Sequence, residues 1–307
     1  MARWDKAASS PIPDWFWESI ENEAESHSIE VEECDVFYRC WGDASKPAIL
    51  LLHGMYAHSH WWDFIAPNLT DEYYVVALDL TGMGDSDYRY DYSGATYVKE
   101  VLAVADAAGL SNATSLVAHS FGGLIAVKTL VHAPERFRAL ILVDSGIRHP
   151  DDPPPELPPP NTQAAIYPSK ELAQARFRLQ PPQPCDNDYL ITYIAKNSLR
   201  PEDGGWTWKF DEDLPGSLSD VERKPEDFDQ LAHNPGLKVG LIYGEDSKLF
   251  SAKTVGYVQQ LLSARAEGGS VNIPAVSIPN AQHHVFLDQP LLFTEALREM
   301  LAGFNPS

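Results

Sequence analysis

Cysteine is scarce in this chain of 307 residues, which holds three: Cys34, Cys40 and Cys185. An odd set without C-x-x-C spacing gives neither a disulfide framework nor a zinc site. Cys34 and Cys40 flank one strand-like run and are expected to pack as small apolar groups. Positive charge is also in short supply. Lysine and arginine total 23 against 44 acidic residues, a formal net charge of −21. Phosphate contacts need a basic face, so a nucleic-acid partner is excluded, and an anionic membrane would repel the chain. Long apolar runs are missing. Met1-Ala-Arg-Trp-Asp-Lys6 has no apolar h-region, and no stretch reaches the roughly 20 apolar residues of a membrane-spanning helix. The expectation is a cytoplasmic protein with reduced thiols and no membrane partner. Nothing in the sequence assigns an oligomeric state.

What is present is a repeating alternation. Ile29 to Trp41 reads as a strand or hairpin. Four short apolar runs follow: Ala48–Leu52, Tyr74–Leu78, Thr114–Ala118 and Ala139–Val143. Strand-length runs this apolar suit a parallel sheet covered on both faces. Between them, Val98, Val101, Leu102 and Ala105 follow the i, i+3, i+4, i+7 spacing of a helix face. The class is α/β, with a mostly parallel, doubly wound sheet flanked by helices.

The alternation then stops. Pro150 to Pro160 is mostly proline and aspartate, and residues 161 to 228 hold aromatics but no run resembling a sheet strand. Strand patterning resumes at Lys238–Tyr243 and Ala275–Ile278. A segment interrupting a sheet must sit on its edge or top, so we expect a small, mainly helical cap after the sixth strand. The expected division is 1–147 as the first part of the core, 148–228 as hinge and cap, and 229–307 as the second part. In open α/β sheets the ligand crevice lies at the strands' C-terminal ends.

The chemistry is signalled by Ala118-His-Ser120-Phe-Gly-Gly123, between an apolar run and the helical Leu124-Ile-Ala-Val127. A serine flanked by small residues at i−2 and i+2, on a strand-to-helix turn, is a nucleophile elbow. The turn holds Ser120 in a strained conformation, and the helix N-terminus offers N–H groups to an oxyanion. A serine hydroxyl needs a base, and the base needs a third group to orient it. Two histidines compete in Pro279-Asn-Ala-Gln-His283-His284-Val-Phe-Leu287. His283 is the expected base, because His284 begins an apolar run and should pack. For the acid, Asp144 at the end of the strand after the elbow helix is preferred. Asp246 and then Glu245, in Tyr243-Gly-Glu-Asp-Ser-Lys248, follow as second and third choices. Backbone N–H groups of Met55 and Phe121 are expected to form the oxyanion hole, with Gly54 allowing close approach and His53 either fixing that loop or touching substrate.

Other tempting motifs read differently. Asp79-Leu-Thr-Gly-Met-Gly-Asp-Ser86 lacks the lysine of a phosphate loop and is expected to be a glycine turn near the elbow. His58-Ser-His60, beside Trp61-Trp62, should form pocket wall or helix start. No metal site and no cofactor are expected.

Assembled in order, His53-Gly54, Asp79–Ser86, Ala118–Gly123, Leu142-Val-Asp144 and Ala281–Pro290 resemble the α/β-hydrolase superfamily, specifically its cap-bearing bacterial serine hydrolases. The resemblance covers about 28–147 and 236–303. Ala118 and Gln282 stand where glycine is usual, and neither change removes a catalytic group. Gly204–Asp211 looks like the cap exit of uncharacterised members. Certain esterases and lactone hydrolases carry the acid after the strand following the elbow helix, and Gly244–Ser247 resembles theirs, which supports Asp144. The resemblance implies acyl transfer to water, most simply a carboxylesterase acting on a small-molecule ester, with pockets between Trp61, Trp62, Phe121, Trp206 and Trp208. The same triad also serves carbon–carbon bond, lactone or amide hydrolysis and cofactor-free perhydrolysis. A non-catalytic ligand-binding protein is the alternative of another class. Haloalkane dehalogenase and epoxide hydrolase chemistry use a carboxylate nucleophile, and residue 120 is serine.

Overall fold

Eight strands form one sheet in the computed structural model, which describes residues 12–152, 165–263 and 273–304. In chain order they are β1 (Glu25–Val31), β2 (Cys34–Trp41), β3 (Ala48–Leu52), β4 (Tyr74–Leu78), β5 (Ser115–His119), β6 (Ala139–Val143), β7 (Lys238–Gly244) and β8 (Ala275–Ile278). Their spatial order is β1-β2-β4-β3-β5-β6-β7-β8. β1 and β2 form an antiparallel hairpin, β2 runs antiparallel to β4, and every other pairing is parallel. The apolar runs of the sequence thus become the sheet's centre.

Alternation along each strand divides the core into two layers. On β3, Leu50 and Leu52 face one layer, with Val101 and Val104 of helix Gly94–Ala107 and Leu124 and Leu130 of helix Phe121–His132. Ile49 and Leu51 face the other, with Phe16 of helix Asp14–Glu21 and Phe293 and Leu297 of helix Pro290–Phe304. Cys40 is buried in the first layer, as a small apolar group would be, while Cys34 stays half-exposed. Among the described residues no helix is long and apolar enough to cross a membrane.

The chain leaves the sheet after β6 and returns at β7. The part of the expected proline-rich hinge from 153 to 160, and the N-terminal segment Met1–Lys6, lie outside the described residues. Between β6 and β7 stand helices Lys170–Arg176, Asp188–Asn197 and Pro225–Ala232, and also an antiparallel hairpin of Leu199–Glu202 with Gly205–Trp208. The hairpin was not expected. Leu-Arg-Pro-Glu carries no apolar alternation, yet the Asp203-Gly204 dipeptide at its tip is a strong turn signal. Tyr193 of helix Asp188–Asn197 donates to Asp63 Oδ2 at 2.6 Å, and Asp63 also holds His60 Nδ1 at 2.7 Å and Arg39, which ties this segment to the sheet.

Candidate active site

The ends of β3, β4, β5, β6 and β8 converge at one edge of the sheet. Ser120 follows β5 with φ +53° and ψ −114° and begins helix Phe121–His132. That is strained backbone for a residue with a side chain. The surroundings hold it there: Ser120 N–H donates to Val143 C=O at 3.1 Å, while its own C=O accepts from Gly123 N–H at 3.1 Å and Ser145 Oγ at 2.6 Å. The Ser120 hydroxyl makes no capping bond to its helix. Its Oγ lies 2.9 Å from His283 Nε2 instead.

His283 follows β8 and is 5% exposed. Its Nδ1 lies 2.7 Å from Asp144 Oδ1. Asp144, at the end of β6, is buried and accepts two further bonds, from Ser247 Oγ at 2.7 Å and Gly244 N–H at 3.0 Å. An acceptor-only carboxylate facing Nδ1 sets the tautomer: Nδ1 carries the proton and Nε2 presents its lone pair to Ser120. Asp246 and Glu245 lie elsewhere. Both are exposed in the loop between β7 and the next helix; Asp246 N–H donates to Ala281 C=O and Glu245 N–H to Ile278 C=O. The second and third choices for the acid therefore do not meet His283. Ser247, next to Asp246, turns its hydroxyl to Asp144.

The loop after β3 lies against the elbow. A Cβ added to Gly54 would fall 3.2 Å from Ser120 Cβ and 2.9 Å from His119 Nδ1, so only glycine lets this backbone come so near. His53 fixes the loop. Leu80 N–H donates to its Nε2 at 3.0 Å, which leaves Nδ1 to donate to Gly54 C=O at 2.7 Å. The ring is engaged at both nitrogens and has no bond left for substrate. Phe121 is the first residue of its helix, so its N–H is one of those without an intrahelical acceptor. Met55 follows Gly54 in the loop after β3.

Burial keeps four histidines neutral. His53, His58, His119 and His284 are each 1–2% exposed, and desolvation lowers the proton affinity of every one. His119 Nε2 lies 3.0 Å from His283 C=O and so steadies the loop that carries His283; only its place beside the serine hinted at this. His284 packs against Trp61 and His119, as its apolar context suggested. His119, His283 and His284 bring ring nitrogens within 4.8 Å of one another, although no metal was expected here.

The Asp79–Ser86 turn is a structural knot. Asp79 accepts from Ser59 N–H with one carboxylate oxygen and from Asp85 N–H, at 2.8 Å, with the other. Gly84, with φ +66°, packs so closely that an added Cβ would sit 2.1 Å from Asp79 Oδ2. Gly84→Ala is expected to cost about 2–4 kcal/mol through strain and the displaced carboxylate. Urea unfolding should show a lower midpoint at unchanged slope.

A cleft partly open to solvent runs between the loop after β3 and the segment between β6 and β7. Met55, His58 and Trp61 form one wall; Phe177, Trp208 and Arg178 form another. Of the four tryptophans expected in pockets, Trp61 and Trp208 line it. Trp62 is wholly buried against Phe286, at 4.7 Å between centroids, and belongs to the core. Trp206 faces Lys170 at 4.0 Å on the hairpin. His58 lines the cleft and His60 turns to Asp63.

A model of the alpha/beta hydrolase family matches residues 49–296. The chain belongs to the alpha/beta hydrolase family. This membership places it among hydrolases. An esterase of Mycobacterium tuberculosis is 26% identical over 270 residues, 85% of this chain and 84% of that one. Human epoxide hydrolase 4 is 33% identical over 110 residues, 35% of this chain and 30% of that protein. Several curated relatives thus match over only 30% of their own length. A thioesterase domain from the curacin biosynthetic pathway superposes with a TM-score of 0.71 at 21% identity, covering 92% of this chain and 100% of that domain. As a family member the chain shares the mostly parallel sheet with flanking helices.

Proposed function

We propose that this hydrolase is a carboxylesterase that works through an acyl-enzyme on Ser120. The observation that carries the reading is the hydrogen-bonded chain Ser120 Oγ–His283 Nε2 and His283 Nδ1–Asp144 Oδ1, at 2.9 and 2.7 Å. Ser120 Oγ attacks the ester carbonyl while His283 Nε2 takes its proton. Asp144 holds the imidazole and stabilises the imidazolium. Phe121 and Met55 N–H groups receive the developing oxyanion. His283 then passes the proton to the leaving alcohol. Water, deprotonated by the same nitrogen, releases the acid and restores Ser120. The cycle needs no metal and no cofactor. The name of epoxide hydrolase 4 does not transfer, because residue 120 offers a hydroxyl where that chemistry calls for a carboxylate. Residues 148–228 act in this reading as a cap whose side chains size the substrate.

A fluorophosphonate probe should label the protein once, on the peptide carrying Ser120. p-Nitrophenyl acetate, butyrate and octanoate should all be turned over, at rates that size the pocket. Absence of both labelling and turnover would sink the mechanism and favour a binding role.

A further inference from the structure

The charge of the cleft runs against that of the chain. Arg176, Arg178 and Lys209 line it, and among the described residues no aspartate or glutamate does. Yet acidic residues outnumber basic ones by 44 to 23. Lys209 is offset by Asp85, with 2.6 Å between Nζ and Oδ2. The two arginines are not offset. Arg178 spends one nitrogen on the C=O groups of Ala175 and Phe177, and neither guanidinium meets a carboxylate among the described residues. Both are exposed, so their donors are open to a ligand. Arg223 is not part of this lining; it donates to Ser120 C=O at 3.3 Å. The remaining walls include the aromatic rings of Trp61, Phe177 and Trp208.

We propose that this cleft selects esters bearing a carboxylate on an apolar or aromatic body, with Arg176 and Arg178 as the recognising groups. The inference rests on the esterase reading above and names its substrate class. A guanidinium pairs with a carboxylate through two parallel hydrogen bonds, and the aromatic rings offer a face to the apolar body of the ester. Salt screens the acidic remainder of the surface beyond about 10 Å, so the nearby arginines dominate what a ligand in the cleft senses. An otherwise anionic exterior then disfavours non-specific retention of the acidic product.

The test compares wild type with Arg176→Gln/Arg178→Gln on three esters: p-nitrophenyl hexanoate, mono-p-nitrophenyl adipate and 4-carboxyphenyl hexanoate. The first two share a six-carbon acyl chain that ends in methyl or carboxylate; the third carries the charge on the leaving group. Relative to the neutral ester, kcat/KM for at least one anionic ester should fall about tenfold in the double variant, through KM. Arg→Lys at both positions should restore part of that loss. Equal change across all three esters overturns the inference. Fluorophosphonate labelling of Ser120 is run alongside, with adipate or the neutral adipamide present. Adipate should slow labelling of the wild type more than adipamide does, and the double variant should lose that difference. Labelling indifferent to adipate overturns the carboxylate inference alone. No labelling and no turnover overturns the esterase reading on which it stands.

Discussion

Asp144→Asn is expected to lower kcat/KM about 10⁴-fold, Ser120→Ala at least as much, and Asp246→Asn less than about twofold. The Asp144 carboxylate accepts from His283 Nδ1, Ser247 Oγ and Gly244 N–H at 2.7, 2.7 and 3.0 Å. Asparagine fits the same space but brings an NH₂ group to one of these donors. The network then rearranges, and the neutral imidazole is free to carry its proton on Nε2, where it has no lone pair for Ser120. Asp246, exposed on its loop, has no such position. Because the three groups act as one unit, the Ser120→Ala/Asp144→Asn double variant should be no slower than Ser120→Ala alone. Steady-state kinetics on p-nitrophenyl butyrate with burst titration of active sites would measure all four. An Asp144→Asn enzyme retaining a tenth of wild-type activity, or an Asp246→Asn enzyme crippled equally, would move the acid to the other loop.

How far the sequence reached depended on whether a residue's role is local. Apolar runs such as Ala139–Val143 dictate buried strands because burial on both faces demands it, and they became β3 to β6 within about a residue. Ser120 and Gly54 were legible for a similar reason, since a strained turn and a close backbone approach admit few residue types. Asp144 and Asp246 could be ranked but not separated by pattern. The decision lies in which strand end faces His283, a property of strand order. Trp62 and Trp61 are adjacent and alike, yet one points into the core and the other into the cleft, a difference set by one short helical turn at Ser59–Trp62. The segment between β6 and β7 was least legible. Its hairpin has no apolar period, and Arg176 and Arg178 acquire meaning only beside Trp61 and Met55, more than a hundred residues away.

The melting temperature should hold level above about pH 7.5 and fall steadily as the pH drops below about 6.5, the ordinary value for an exposed histidine. His53, His58, His119 and His284 are buried neutral, with proton affinities lowered by desolvation. In the unfolded chain each takes up a proton near its ordinary value. Below that pH the unfolded state binds more protons than the folded state, so stability falls with falling pH. Each group contributes at most about 1.4 kcal/mol per pH unit, and four together approach about 5 kcal/mol per unit, comparable with the whole stability of many domains. Two effects oppose this. A net charge of −21 repels itself less as acid neutralises it, which stabilises the compact form on the way to an isoelectric point of 4.7. Glu100, whose carboxyl is raised by burial, takes up its proton more readily folded than unfolded. A charge-repulsion account alone predicts a rising melting temperature between pH 7.5 and 5.5; buried histidines predict a falling one. Calorimetry across that range decides between them, and His284→Gln, which removes one of the four groups, should make the fall shallower by about a quarter if each carries its share.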